Sequence, residues 1–143
     1  MASRTLPATF STLTTVVALL YAELASTIQV HGLELPAGWT PASGKTVLVT
    51  NNGGPANVSS PELDETFTVH AYGPQATDIL TVNEAVFNAL HRYEGRTTVI
   101  AAGTVYIGLV ERVAGPFSNR DPLTEWMRFT TVYRVVMSEW VAP

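Results

Sequence analysis

A chain of 143 residues, 46% of them hydrophobic, falls in the size range of one domain, long enough to bury roughly 68% of its unfolded surface without covalent staples. Cysteine is absent, which excludes disulfides, thiolate metal ligands and cysteine nucleophiles together. A formal charge of −4, with Lys45 as the only lysine and arginines scattered from Arg4 to Arg134, leaves no basic stripe for neutralising phosphates and argues against tight nucleic-acid binding.

The longest apolar run, Val16 to Tyr21, is far short of the ~20 residues of a membrane helix, and no basic region with a small-residue cleavage site precedes it. The expectation is a soluble, unprocessed protein, and a cytoplasmic origin fits. Phe10, Leu13, Val17, Leu20, Leu24 and Ile28 recur at spacings of three and four, which predicts an amphipathic first helix, with Pro7 in or before its first turn and Gly32 as its stop. Its threonines and valines are mediocre helix formers, so packing must hold it. Leu35 to Gly44, with two prolines and two glycines, reads as a connecting loop.

Lys45 to Thr50 is β-branched and mostly apolar, and the residues after it, Asn51, Asn52, Gly53 and Gly54, tolerate positive φ, so a strand is predicted to run into a turn and a polar loop reaching Pro61. Glu65 to Tyr72 then alternates, with Phe67, Val69 and Ala71 on one face and Thr68, His70 and Tyr72 on the other. Gly73 and Pro74 break that strand. Ile79, Val82, Val86, Leu90 and Tyr93 return to helical spacing, with Asp78 and Glu84 towards the N-terminal end, Arg92 towards the C-terminal end and Gly95 beyond it.

Thr97 to Val113 reads as one long strand with Val105, Ile107, Leu109 and Val113 on one face and a bulge or break at Gly103. Gly115 to Pro122 reads as a turn segment. From Trp126 to Trp140 a last strand places Met127, Phe129, Tyr133, Val135 and Met137 on one face, with Thr131 between them, and Trp126, Val132, Val136 and Trp140 on the other. The sum is a single α+β domain over 1–143, ordered α-β-β-α-β-β, with an antiparallel or mixed sheet of about four strands and two helices packed on one face. The face carrying Trp126 and Trp140 is too apolar for open water. A subunit interface and a second core contact are equal readings of it.

Chemistry is sparse. His31, His70 and His91 fall on different elements with no ligand spacing, and no nucleophile elbow, P-loop, dinucleotide fingerprint or glycosidase acid pair is present, so no catalytic residue, metal or cofactor is assigned. Glu62, Asp64 and Glu65 cluster before a strand, and a solvated negative loop is the plain reading of them, with a weak divalent-cation site as the alternative. Asn57 to Ser59 matches a glycosylation acceptor that lacks the secretory context to be used.

The order of elements, together with the strand and turn at Val47 to Gly54, the phrase FTVHAYG at Phe67 to Gly73, the helix end ALHR at Ala89 to Arg92, the phrase RVAGP at Arg112 to Pro116, the Asp121-Pro122 turn and the strand from Trp126 to Val136, resembles the tail terminator, or tail completion, family of long-tailed bacteriophages. The resemblance spans nearly the whole chain and rests on order and spacing more than on identities. It implies a non-enzymatic virion protein, assembled in the host cytoplasm. It would form a ring, commonly a hexamer, that caps the tail tube, ends tube polymerisation and presents a head-tail joining surface.

Within that resemblance the partners are the chain itself, the tail tube protein and the head completion or connector protein, with DNA passing through the lumen unbound. Trp126, Val132, Val136 and Trp140 are then the candidate subunit interface. Asn52, Gly53, Gly54, Asn119, Arg120 and Asp121 are candidate loop contacts to tube or connector, and Glu62, Asp64, Glu65 and Glu94 are candidate lumen or rim acids that would not hold phosphates. Two other roles stay open: a head-tail connector or tail tube subunit, and a small ligand-binding or enzymatic domain using His70, Tyr72 and Glu65.

Overall fold

A computed structural model of the chain describes residues 12–53, 62–100, 103–122 and 124–139. The elements run α1 (Thr12–Leu24), β1 (Gln29–Gly32), a single 3-10 turn at Pro41–Ser43, β2 (Thr46–Gly53), β3 (Glu62–Tyr72), α2 (Ala76–Arg92), β4 (Arg96–Ile100), β5 (Gly103–Arg120) and β6 (Met127–Glu139). The strands form one six-stranded sheet in the order β1-β2-β3-β6-β5-β4. β1 runs parallel to β2, and every other neighbouring pair is antiparallel. Both helices pack on one face, and α1 touches both edge strands, β1 and β4, so the sheet curls around the helices.

The α+β class is what the structure shows, but four strands in the order α-β-β-α-β-β is corrected to six strands. One addition is β1. The first helix stops at Leu24, and Ala25 to Ile28 turn the chain, with the Ile28 N–H bonded to the Leu24 carbonyl at 2.8 Å. Ile28 keeps helical spacing because the turn delivers it to the same core, where it is buried. Gln29 to Gly32 has little intrinsic strand character, and its state comes from pairing with Thr46 to Val49.

The other addition is β4, which the break at Gly103 separates from β5. β5 then continues through the segment read as a turn, as far as Arg120, because three register shifts against β6 absorb its awkward residues. The first shift, around Gly108, changes the face that follows it. Val105, Ile107 and Val110 are therefore buried, while Leu109 is only half-buried and Val113 is exposed.

The core lies between helices and sheet. α1 contributes Val16, Leu19, Leu20 and Leu24, and α2 contributes Ile79, Val82, Val86, Ala89 and Leu90. They meet Val47, Val49, Phe67, Val69, Ala71, Tyr133, Val135 and Met137 from the alternating faces of β2, β3 and β6. Most of the predicted α2 stripe is buried. The α1 stripe is rotated, so Leu13 and Val17 are left half-buried on its flank. Phe10 and Pro7 lie outside the described residues.

Two polar ties cross this layer. The Thr131 hydroxyl, buried in the sheet, donates to Asn83 Oδ1 of α2 at 3.0 Å. At the C-terminal ends of the helices, Glu23 pairs with Arg92 and accepts the Tyr93 hydroxyl at 2.8 Å. Gly73 fixes the entry to α2, since a Cβ there would lie 2.7 Å from Asp78 Cβ. Gly73→Ala should therefore lower stability by about 1–3 kcal/mol through overpacking, read as a lower urea midpoint with an unchanged slope.

Candidate interaction surface

Two helices leave the other face of the sheet to other partners. Alternation along β2, β3 and β6 places Leu48, Thr50, Thr68, His70, Tyr72, Thr130, Val132, Arg134 and Val136 there, opposite the core residues.

One end of this face is covered by the chain itself. The segment from Leu33 to Lys45 joins β1 to β2 and brings Trp39 down on the sheet, where it is buried with Leu48 and Tyr72, and Leu35 and Trp126 pack around them. Trp39 meets Tyr72 and Trp126 edge-on, with ring centroids 5.1 and 5.2 Å apart, and its indole N–H donates to Thr46 Oγ1 at 3.1 Å. The geometry is the favourable T-shaped one. Trp126 thus packs within its own chain, as the second-core reading has it. Trp140 and Gly54 lie outside the described residues.

Next to this aromatic cluster runs a polar network. Arg128 donates to the Tyr72 hydroxyl at 3.2 Å, to Asp121 at 3.3 Å and to Asn119 at 3.2 Å, and the Thr130 hydroxyl reaches the same Asn119 oxygen at 3.1 Å. His70 Nδ1 lies 3.0 Å from the Thr130 hydroxyl. Asn119 and Arg120 are therefore strand residues, not loop residues, and Asp121 opens a tight turn in which its carbonyl accepts the Glu125 N–H at 2.7 Å. Likewise Asn52 and Gly53 belong to β2, where Asn52 bonds Thr68 across the strands at 2.7 Å.

Further along, Asp64, Arg134 and Glu111 form a charge ladder across β3, β6 and β5. Arg134 holds Asp64 through two bonds of 2.8 and 2.7 Å and lies 3.6 Å from Glu111. The Arg134 hydrogen bond holds the Asp64 carboxyl below the usual carboxylate range. Glu65 points to the other face, accepting Asn51 Nδ2 at 2.6 Å, and Glu94 accepts the Val110 N–H at 2.8 Å. Of the four candidate acids, these three are engaged within the chain. Glu62 is placed at the start of β3. Val132 is half-buried between the network and the ladder, and Val136 is half-buried beyond Arg134, in register with Asp64.

The trio His70, Tyr72 and Glu65 does not come together. Glu65 lies on the opposite face of β3 from the other two, and Tyr72 is buried beneath Trp39. Among the described residues no group of three His, Asp or Glu side chains stands close enough to hold a metal ion. A cavity of about 270 Å³ lies beside the aromatic cluster, between the α2 N-terminus, Arg120 and Trp126, and His70 does not line it.

The exposed apolar side chains are what the sequence reading missed. Tyr21 and Leu33 stand beside β1, and Val99, Val113 and Phe117 stand on β4 and β5. The signal for Leu33 was absent from periodicity, because it lies just past a strand that was not predicted. These features define an α+β domain with a curled mixed sheet and one largely polar face. No protein-family model and no curated protein matches the chain.

Burial, and after it the Arg128 charge, push His70 down to about 4 from the ordinary 6.5. Between those values the unfolded chain takes up a proton that the folded chain refuses, so stability falls as pH falls through that window and levels off below it. His70→Gln should flatten the pH dependence of the denaturant midpoint between pH 6.5 and about 4, leaving the more acidic limb belonging to Asp64 in place. Trp126→Ala should cost roughly 2–4 kcal/mol of subunit stability, with the native mass of any assembly unchanged, as thermal melts and native mass spectrometry would show.

Proposed function

We propose that the chain is a structural assembly subunit rather than an enzyme, building a ring that caps a phage tail tube, ends tube polymerisation and offers a head-tail joining surface. The observation that carries this reading is the exposed apolar side chains at the two unlike edges of one sheet, Tyr21 and Leu33 by β1 and Val99 on β4. A domain with two different sticky edges associates head to tail, and such contacts close into rings when the rotation allows. The resemblance in element order to tail terminators supplies the identity of the neighbours.

In this reading the tail tube protein and the head completion protein meet the ends of the ring through the β2–β3 and β5–β6 hairpins, where Asn52, Gly53, Asn119, Arg120 and Asp121 lie. Val132 and Val136 belong to the open face available to a neighbouring subunit or ring. Glu62, Asp64, Glu65 and Glu94 remain the candidate acids for a lumen or rim, and the last three also have partners within the chain. The protein resides in the virion, at the head-tail junction.

Native mass spectrometry and negative-stain imaging of the purified full chain test this. A discrete ring, commonly a hexamer in the resembling family, is the expected result. Long tubes would assign the chain to the tail tube instead, and a strict monomer, both alone and with tail tubes, would remove the ring reading.

A further inference from the structure

The sheet ends in edges of different character. Past the end of β4, the exposed edge of β5 is guarded by register shifts up to Phe117 and by Pro116, which offers no N–H to a neighbour. β1 has no such guard. Gln29 and Leu33 donate to Lys45 and Val49 at 3.0 and 2.9 Å, which turns the intervening N–H groups of Val30 and Gly32 away from β2 and towards the open edge. β4 is equally plain, with no proline and no register shift within its pairing to β5.

Alongside β1 runs an apolar groove of about 430 Å³ lined by Leu13, Val17, Tyr21 and Leu33. Leu33 is 66% exposed and sits at φ 71, a left-handed conformation that disfavours a residue with a Cβ. Neither solvation nor backbone favours leucine there in an isolated subunit, so its side chain points to a role outside it. Glu34 follows it, exposed and without an ion pair among the described residues. On β4, Val99 is 77% exposed, and Arg96, three residues before it, is likewise exposed and unpaired among the described residues.

We infer that these two edges meet between copies of this chain: the β4 edge of one subunit lies along the α1–β1 groove of the next, with Val99 against Leu33 and Tyr21, and Arg96 beside Glu34. The inference rests on the ring reading and names its contact. Apolar residues face apolar residues, the one acid beside the groove faces the one base on β4, and both strands bring free backbone groups. Because the two surfaces differ, each added copy leaves one of each kind free, and the contact propagates until it closes.

The lack of cysteine makes the test clean. Full-length Leu33→Cys and Val99→Cys proteins, both changed at exposed positions, are purified separately, mixed and mildly oxidised. The mixture should give a disulfide-linked dimer that neither protein gives alone. Glu34→Arg or Arg96→Glu should each weaken association by about tenfold, and the two together should restore it. Cross-linking within the Leu33→Cys pool alone would overturn the contact, as would an intact assembly that gives no mixed product and ignores both charge reversals. That last result leaves the ring reading standing on another surface. A wild-type chain that is monomeric at every concentration removes both.

Discussion

Helices α1 and α2 can shield only one face of a six-stranded sheet, and that mismatch of area organises the rest of the molecule. The core forms where helices and sheet coincide, with β2, β3 and β6 at its centre and their alternating side chains locked between Val16, Leu20, Val82 and Val86. Everything on the other face must find a different solution: a cover from the chain, cross-strand polar bonds, or a partner. The protein uses the first two along much of that face. Trp39 covers one end, and threonines, His70, Asn119 and the Asp64–Arg134–Glu111 ladder satisfy one another over much of the remainder.

The cover follows from topology. Parallel strands cannot be joined by a tight turn, so the chain leaving β1 must travel the length of the strand again before it enters β2. That obligatory return, from Leu33 to Lys45, passes over the helix-free face and carries Trp39 with it. A connection that the parallel pair requires in any case becomes the lid of a second, smaller core. The same return leaves β1 as an edge strand, with the flank of α1 beside it open to solvent.

What the sequence disclosed depended on whether local pattern and tertiary partner agreed. β3 and α2 were legible because Phe67, Val69 and Ala71, and Ile79, Val82, Val86 and Leu90, follow one period and bury one face. β1 was not legible, since its strand state is imposed by β2 on a polar tetrapeptide. β5 misled because its glycines and Pro116 look like a turn, whereas the strand tolerates them at register shifts on an edge. At the candidate surface, the sequence showed that Trp126 needed burial without showing against what. The answer lay in Trp39, far away along the chain. The acids looked alike in sequence, and only the pairing of β3 with β6 could reveal that Asp64 opposes an arginine's reach while Glu65 faces the other way.

The aromatic lid also decides where this protein can be watched. Of its three tryptophans, Trp39 and Trp126 meet edge-on on the helix-free face, and the helix-covered core contains none among the described residues. Intrinsic fluorescence therefore reports chiefly the seating of the β1–β2 connection rather than the integrity of the main core. An optical signal that changes while helicity does not would mark the strap lifting from an otherwise folded subunit.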